Sequence, residues 1–231
     1  GLRLAHYPHS KYFLDLCDRE GLLIWSEVPI VDRITDSDAF TENARQQLTE
    51  MIRQNVNRPS IICWGLWNEL MHEPSPDPVA LIKGMHELAA QEDPSRPTVG
   101  AANWASQKAP GLREVAGLTA WNKYLGWYGG EAEEMGGFLK KMNKLAGDKG
   151  IAVSEYGAGG SLQHHEQGMT ERPDTRGKWH PEEWQNHCHE VNFAAIKSSP
   201  FVWGSFAWNM FDFASVWRDE GDTKGINDKG L

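Results

Sequence analysis

Short, unbroken apolar runs alternate along this chain with stretches whose apolar residues recur every three or four positions. The runs at 1–5, 22–25, 61–66, 98–102, 118–122, 151–153 and 201–206 predict seven strands. Strands without polar alternation are expected where both faces of a sheet are covered. The helical spacing falls between them. Phe13, Leu14, Leu16 and Cys17 mark a helix over 11–19 that Gly21 stops. Phe40, Ala44, Leu48, Met51, Ile52 and Val56 mark a longer one after the N-capping run Asp36-Ser37-Asp38. Asp77-Pro78 opens a third helix, through about 91. Met135, Phe138, Leu139, Met142 and Leu145 mark a fourth, and Pro181 begins a fifth containing Trp184, Cys188, Val191 and Ala195.

Repeated strand-then-helix units in 231 residues predict an α/β fold, a (β/α)8 TIM barrel occupying residues 1–231 as one domain. One strand and one helix are short of eight. By the opening they are the first pair, so strands 2–8 are present and the barrel is incomplete at the N-terminus. Such a barrel leaves strand edges unpaired, so the chain is expected to be marginal alone and part of a longer polypeptide. The stretch 157–181 is polar, lacks periodicity and predicts a long functional loop. The tail after Trp208 reads as irregular.

Composition narrows the partners. Lys plus Arg is 23 against 32 Asp plus Glu, a formal charge of −9, which argues against nucleic acid and anionic membranes. No apolar run approaches the roughly 18 residues of a membrane span. Residues 1–5 read as strand and not as a leader, and both a cytoplasmic and an exported address fit the sequence. Cys17, Cys63 and Cys188 form neither a disulfide framework nor a CxxC pair, and their apolar surroundings predict buried free thiols. Eleven tryptophans serve either core filling or stacking on sugar faces; Trp67, Trp121 and Trp208, beside strand ends, fit both uses equally.

In a barrel of this kind the chemistry lies at the C-terminal strand ends. Those ends carry His6, Glu27, Asn68, Glu69, Asn122, Tyr124, Glu155, Tyr156, Trp208 and Asn209. Two glutamates, Glu69 and Glu155, each close a buried apolar strand, numbers four and seven of the barrel. A carboxylate in that position is costly unless it is paired or used. Cleavage of a glycosidic bond needs such a pair, about 5–5.5 Å apart in a retaining enzyme. On this reading Glu69 is the proton donor and Glu155 the ionised nucleophile. Asn68 suits the sugar 2-hydroxyl, Tyr124 a hydrogen bond to the nucleophile and His6 a hydroxyl contact. The rival reading makes both glutamates structural ion-pair partners at the rim, and Glu27 an electrostatic support. His164-His165-Glu166 and His187-Cys188-His189 lack a good metal spacing, and no metal site is expected.

Five blocks resemble glycoside hydrolase family 2, and within it the β-galactosidases. They are Arg3 through Pro8, Leu16 through Leu22, Asn57 through Glu69, Ser154 through Gly160, and Trp208 through Phe213 with Gly225 through Leu231. The resemblance implies a retaining double displacement with Glu69 as acid/base and Glu155 as nucleophile, and Asn68 on the 2-hydroxyl. It places His6, Tyr124 and Trp208 in the sugar site. The strand-end amides Asn122 and Asn209 join this substrate-binding set. It also implies upstream β-sandwich domains. Two departures follow. Val31 and Arg33 stand where the magnesium pattern of some β-galactosidases requires ligands, so no cofactor is expected. Asn227 and Lys229 match the Asn-x-Lys spacing with which β-glucuronidases bind a sugar carboxylate. The expectation is an exo-acting β-galactosidase that takes a β-galactoside as substrate, with other domains of the same polypeptide and a homo-oligomer as possible partners. A β-glucuronidase or another family 2 exo-glycosidase is the alternative, and a sugar-binding barrel without hydrolysis the third reading.

Overall fold

A computed structural model describes residues 1–71, 76–106, 110–169 and 171–231, apart from the Pro110 side chain. Its contacts divide the chain into two compact units, Gly1–Asn122 with Asp148–Gly150, and Lys123–Gly147 with Ile151–Leu231.

The first unit alternates β1 (Leu2–Leu4), α1 (Lys11–Glu20), β2 (Ile24–Glu27), α2 (Asp38–Asn55), β3 (Ile61–Asn68), α3 (Val79–Glu92), β4 (Thr98–Ala102), α4 (Pro110–Val115) and β5 (Leu118–Asn122). Each strand pairs in parallel with the next. The register sets Arg3 opposite Trp25, Glu27 opposite Gly65 and Asn68 opposite Ala101. Parallel pairing forces each connection to cross over, which is the work of the intervening helices. Capping explains where they start. Ser10 Oγ accepts from Phe13 N at α1, and Ser37 Oγ from Phe40 N at α2. Gly21 ends α1 with φ at 68°, a conformation open to glycine at little cost.

Ile24, Trp25, Leu48, Ile52, Trp64, Leu66 and Met85 are buried in this unit's core. Each such side chain contributes about 1.5–3 kcal/mol on burial. The N-terminal end of β3 is braced by Arg96, which donates to the carbonyls of Ile61 (2.6 Å), Val56 (3.0 Å) and Arg58 (2.8 Å). Asp93 accepts from Arg96 (2.7 Å) and from the Trp64 indole (2.9 Å). Burial alone would raise the Asp93 carboxyl, but donation from Ser95, Arg96 and Trp64 overrides it and brings the pKa down to about 2.

The second unit holds α5 (Met135–Ala146), β6 (Ile151–Tyr156), α6 (Glu182–Lys197), β7 (Val202–Ala207) and a small antiparallel pair, β8 (Phe213–Ala214) with β9 (Ile226–Asn227). β6 and β7 are parallel. Trp127, Ala158, Trp184 and Cys188 form a buried cluster, with Tyr124 and Met169 against it. The Trp184 indole donates to Gly126 O (2.9 Å) and Asn192 Nδ2 to Leu125 O (3.0 Å), which pins the segment after β5 onto α6.

The seven expected strands are present. Three local expectations change. The strand expected from Leu22 starts late: β2 begins at Ile24, with Leu22 and Leu23 exposed, and it ends at Glu27 as expected. A short helix, α4, forms where no element was expected. The tail is not wholly irregular, because β8 and β9 fold it back on itself. The loop 157–181 keeps its expected lack of regular structure apart from a bridge between Ser161 and Pro181; its residue Thr170 lies outside the described residues. Among the described residues no helix is long and apolar enough to cross a membrane.

Candidate active site

In the first unit, side chains from four strand ends meet around one guanidinium. Arg3, on β1, is stacked over the Trp25 ring at 4.8 Å and binds Glu27 through Nε (3.0 Å) and Nη2 (3.1 Å). His6 Nδ1 lies 2.8 Å from Glu27 Oε1. The Glu27 side chain is 1 % exposed. Burial would raise its carboxyl, but the Arg3 charge and the His6 hydrogen bond more than offset this and hold it below the usual carboxylate range.

The same guanidinium reaches the next strand. Arg3 Nη2 donates to Asn68 Oδ1 at 2.8 Å, and Asn122 Nδ2 donates to that oxygen at 3.1 Å. Two donors converging on Oδ1 fix which end of the Asn68 amide is its donor end. Asn122 Nδ2 also donates to Glu69 Oε1 at 2.9 Å. Thus His6, Asn68, Glu69 and Asn122 come together, joined through Arg3 and Glu27.

Glu69 itself adopts a left-handed backbone, φ 53°. A non-glycine residue there costs on the order of 1 kcal/mol or more, and such residues cluster at functional sites. The conformation is held from both sides. Glu69 N donates to Ala101 O (2.8 Å), Asn68 N to Ile30 O (2.9 Å) and Asp32 N to Asn68 O (3.0 Å).

In the second unit, Glu155 is the penultimate residue of β6 and is buried. Tyr124 donates its hydroxyl to Glu155 Oε2 at 2.7 Å, and Lys123 N donates to Glu155 O at 2.8 Å. The Tyr124 ring meets Tyr128 edge-on at 5.1 Å. Lys229 Nζ lies 5.3 Å from the Tyr128 ring centre and 5.5 Å from that of Trp127. The Lys229 side chain is 1 % exposed, yet Nζ has no hydrogen-bond partner among the described residues; neither has the buried Asn227 Oδ1. Asn209 N donates to Lys229 O at 2.8 Å, and Trp208 N to Tyr156 O at 2.8 Å, which ties the end of β7 to both segments. Trp208 packs edge-on to Phe213.

Trp67 and Trp121 are core residues of the first unit, at 1 % and 2 % exposure, so the core-filling reading fits them better than stacking on a sugar. His164 stacks on Trp179, His165 faces Glu182 and Glu183, and His189 packs on Tyr156. Among the described residues no three His, Cys, Asp or Glu side chains gather as metal ligands. All three cysteines are buried and free; burial pushes the Cys188 thiol up to about 12 and Cys63 upward too.

Arg3 is the member of this cluster that the sequence signals least. Its signal was a lone charge between Leu2 and Leu4 in a strand, which is affordable only with a buried partner.

Residues 1–221 match the glycosyl hydrolases family 2, TIM barrel domain. A β-glucuronidase of Bacteroides fragilis is 46 % identical over the whole of this chain, which covers 33 % of that protein. Among solved structures, an FMN-binding β-glucuronidase from Facaelibacterium prausnitzii L2-6 is 34 % identical with a TM-score of 0.91, over 99 % of this chain and 35 % of that one. A putative β-galactosidase from Bacteroides fragilis is 36 % identical with a TM-score of 0.90, over 99 % and 33 %. The chain belongs to glycoside hydrolase family 2 as its TIM barrel domain, and its fold is an incomplete (β/α)8 barrel. It spans about a third of the length of that B. fragilis β-glucuronidase.

Proposed function

We propose that this barrel serves a retaining exo-glycosidase that removes terminal β-D-glucuronate, with Glu69 as acid/base and Glu155 as covalent nucleophile. The carrying observation is the buried ammonium of Lys229 and, two residues earlier in the chain, the buried Asn227 Oδ1, both without hydrogen-bond partners among the described residues. Buried N–H donors without an acceptor are costly, and a ligand carboxylate would supply one. A galactoside carries no such group. The names of the B. fragilis and F. prausnitzii relatives lend support, so the alternative of the sequence reading now stands ahead of the galactosidase.

The roles follow from position. Glu69 would protonate the leaving oxygen, with Asn122 steering its carboxyl. Glu155, held by Tyr124, would attack the anomeric carbon and form a glycosyl-enzyme that water then hydrolyses. Asn68 would give its Nδ2 to the 2-hydroxyl, with His6 at a neighbouring hydroxyl and Trp208 and Asn209 along the sugar. Other domains of a longer polypeptide would complete the protein.

The β-galactosidase reading stays second, favoured by the similarity to the putative β-galactosidase structure. Nitrophenyl β-glucuronide and β-galactoside, assayed with the full-length protein, separate the two. Preference for the glucuronide, lost in Lys229→Ala by roughly 10- to 100-fold in kcat/KM, is expected. Preference for the galactoside, untouched by Lys229→Ala, would reverse the order. A Glu155→Ala variant that keeps near-normal turnover would remove the nucleophile assignment.

A further inference from the structure

The residue before Lys229 treats its two carboxylate oxygens differently. Asp228 Oδ2 lies 2.5 Å from His180 Nδ1. Asp228 Oδ1 has no hydrogen-bond partner among the described residues and stands 3.9 Å from Lys229 Nζ. That gap lies within ion-pair range but beyond a hydrogen bond. His180 is fully buried at 0 % exposure, its other ring nitrogen 3.3 Å from Asp174 O, its ring edge-on to Trp127 at 4.8 Å. The backbone at Gly159 packs closely against the His180–Asp228 pair. A Cβ added at Gly159 would stand 2.8 Å from Asp228 Oδ1, 2.8 Å from the Trp127 ring and 3.0 Å from His180 Nδ1.

Asp228 therefore has two partners within reach, His180 and Lys229. A carboxylate that closed fully on Lys229 would take one of the ammonium's three donors in a charge-assisted hydrogen bond and pair its charge, weakening its hold on a substrate carboxylate. Left at 3.9 Å, it still offsets the buried charge and leaves all three donors open. We propose that His180 is a positioning residue for uronate recognition: by holding Asp228 Oδ2 it keeps Asp228 off Lys229 and reserves the Lys229 ammonium for the substrate. This rests on the glucuronidase reading above and adds to it a residue about 50 positions upstream of the Asn-x-Lys segment.

The experiment uses the full-length protein with nitrophenyl β-glucuronide and its uncharged methyl ester. His180→Leu should raise KM for the glucuronide roughly tenfold, with kcat and the ester's KM little changed. His180→Asn keeps a donor near the Nδ1 position and should stay close to wild type. Adding Asp228→Asn to His180→Leu should restore the glucuronide KM, because no carboxylate remains to occupy Lys229. A purely structural histidine predicts no such rescue. Equal shifts on both substrates, or a double variant no better than His180→Leu, would overturn the proposal. Should His180→Leu fail to fold, Asp228→Asn alone decides it: an unchanged or lower glucuronide KM supports the proposal, and a tenfold rise overturns it. A wild type that favours the ester or a galactoside over the glucuronide sinks the functional reading and this inference together. A wild type that favours the glucuronide with a flat His180 series sinks only the inference.

Discussion

Replacing Glu27 with glutamine removes one negative charge and changes almost no volume. The carboxylate it removes takes three contacts, from Arg3 Nε at 3.0 Å, Arg3 Nη2 at 3.1 Å and His6 Nδ1 at 2.8 Å, and the Arg3 side chain is only 3 % exposed. Glutamine offers one acceptor oxygen in place of two, and its amide N–H groups face donors. The buried guanidinium loses the carboxylate it pairs with, and removing one partner of a buried ion pair typically costs about 3–5 kcal/mol. Taking the lower end, ~3 kcal/mol, the melting temperature of a protein this size should fall by roughly 6–12 °C. The acid limb gives a second readout. The folded-state carboxyl lies below its ordinary 4.5, so the stability it contributes is present above that value and is lost as pH falls through the folded one. Glu27→Gln should accordingly lose stability at neutral pH and show a shallower decline below about pH 4.5. Glu92→Gln, at an exposed Arg53 pair, is the control and should barely move the melting temperature. A Glu27→Gln protein that melts with the wild type at pH 7, and whose acid limb is unchanged, would refute the claim that the buried pair holds these strand ends.

Tyr124→Phe deletes the 2.7 Å donor to Glu155 and should lower kcat roughly tenfold or more while KM moves less, measured with nitrophenyl glycosides; unchanged kcat would detach Tyr124 from the nucleophile. Asp93→Asn weakens the Arg96 and Trp64 contacts beneath β3. It should lower the melting temperature at pH 7, with the deficit against wild type shrinking as pH falls from 4 toward about 2, where the native carboxyl itself protonates. Its turnover at 25 °C should be close to wild type, since these groups lie at the N-terminal end of the strand.

Much of the fold was legible because burial on both faces leaves a local mark. Ile61 through Leu66 and Ile151 through Val153 are apolar without interruption, and each run is followed within three residues by a glutamate. The α2 stripe and its Ser37 cap were equally plain. What the sequence hid was pairing at a distance. Glu27 was legible as a strand end, but its pairing with Arg3 follows only from the parallel register of β1 and β2, and no local pattern states a register. Leu22 and Leu23 misled because apolar side chains also occur on surfaces. α4 spans only Pro110–Val115, too short for an apolar stripe to show in the sequence, and carries Gly111 in its first turn, although proline suits a first helical position. His180 sits in a polar stretch among other histidines, and only its contact with Asp228 separates it from them. The two glutamates and Asn68 were visible in sequence; the Arg3 hub that orients Asn68 was not.

The ties between 161–180 and 218–229 carry a consequence for engineering. His180 to Asp228, Ser161 to Asp222, Lys178 to Asp219 and the Gly221-to-Gly177 backbone bond rivet one stretch to the other at four points. Anyone transplanting the first from a relative to alter substrate range would sever rivets whose other halves remain in the host. The two stretches form a cassette, and chimeras that exchange both should keep their Lys229 environment where single-stretch chimeras disturb it.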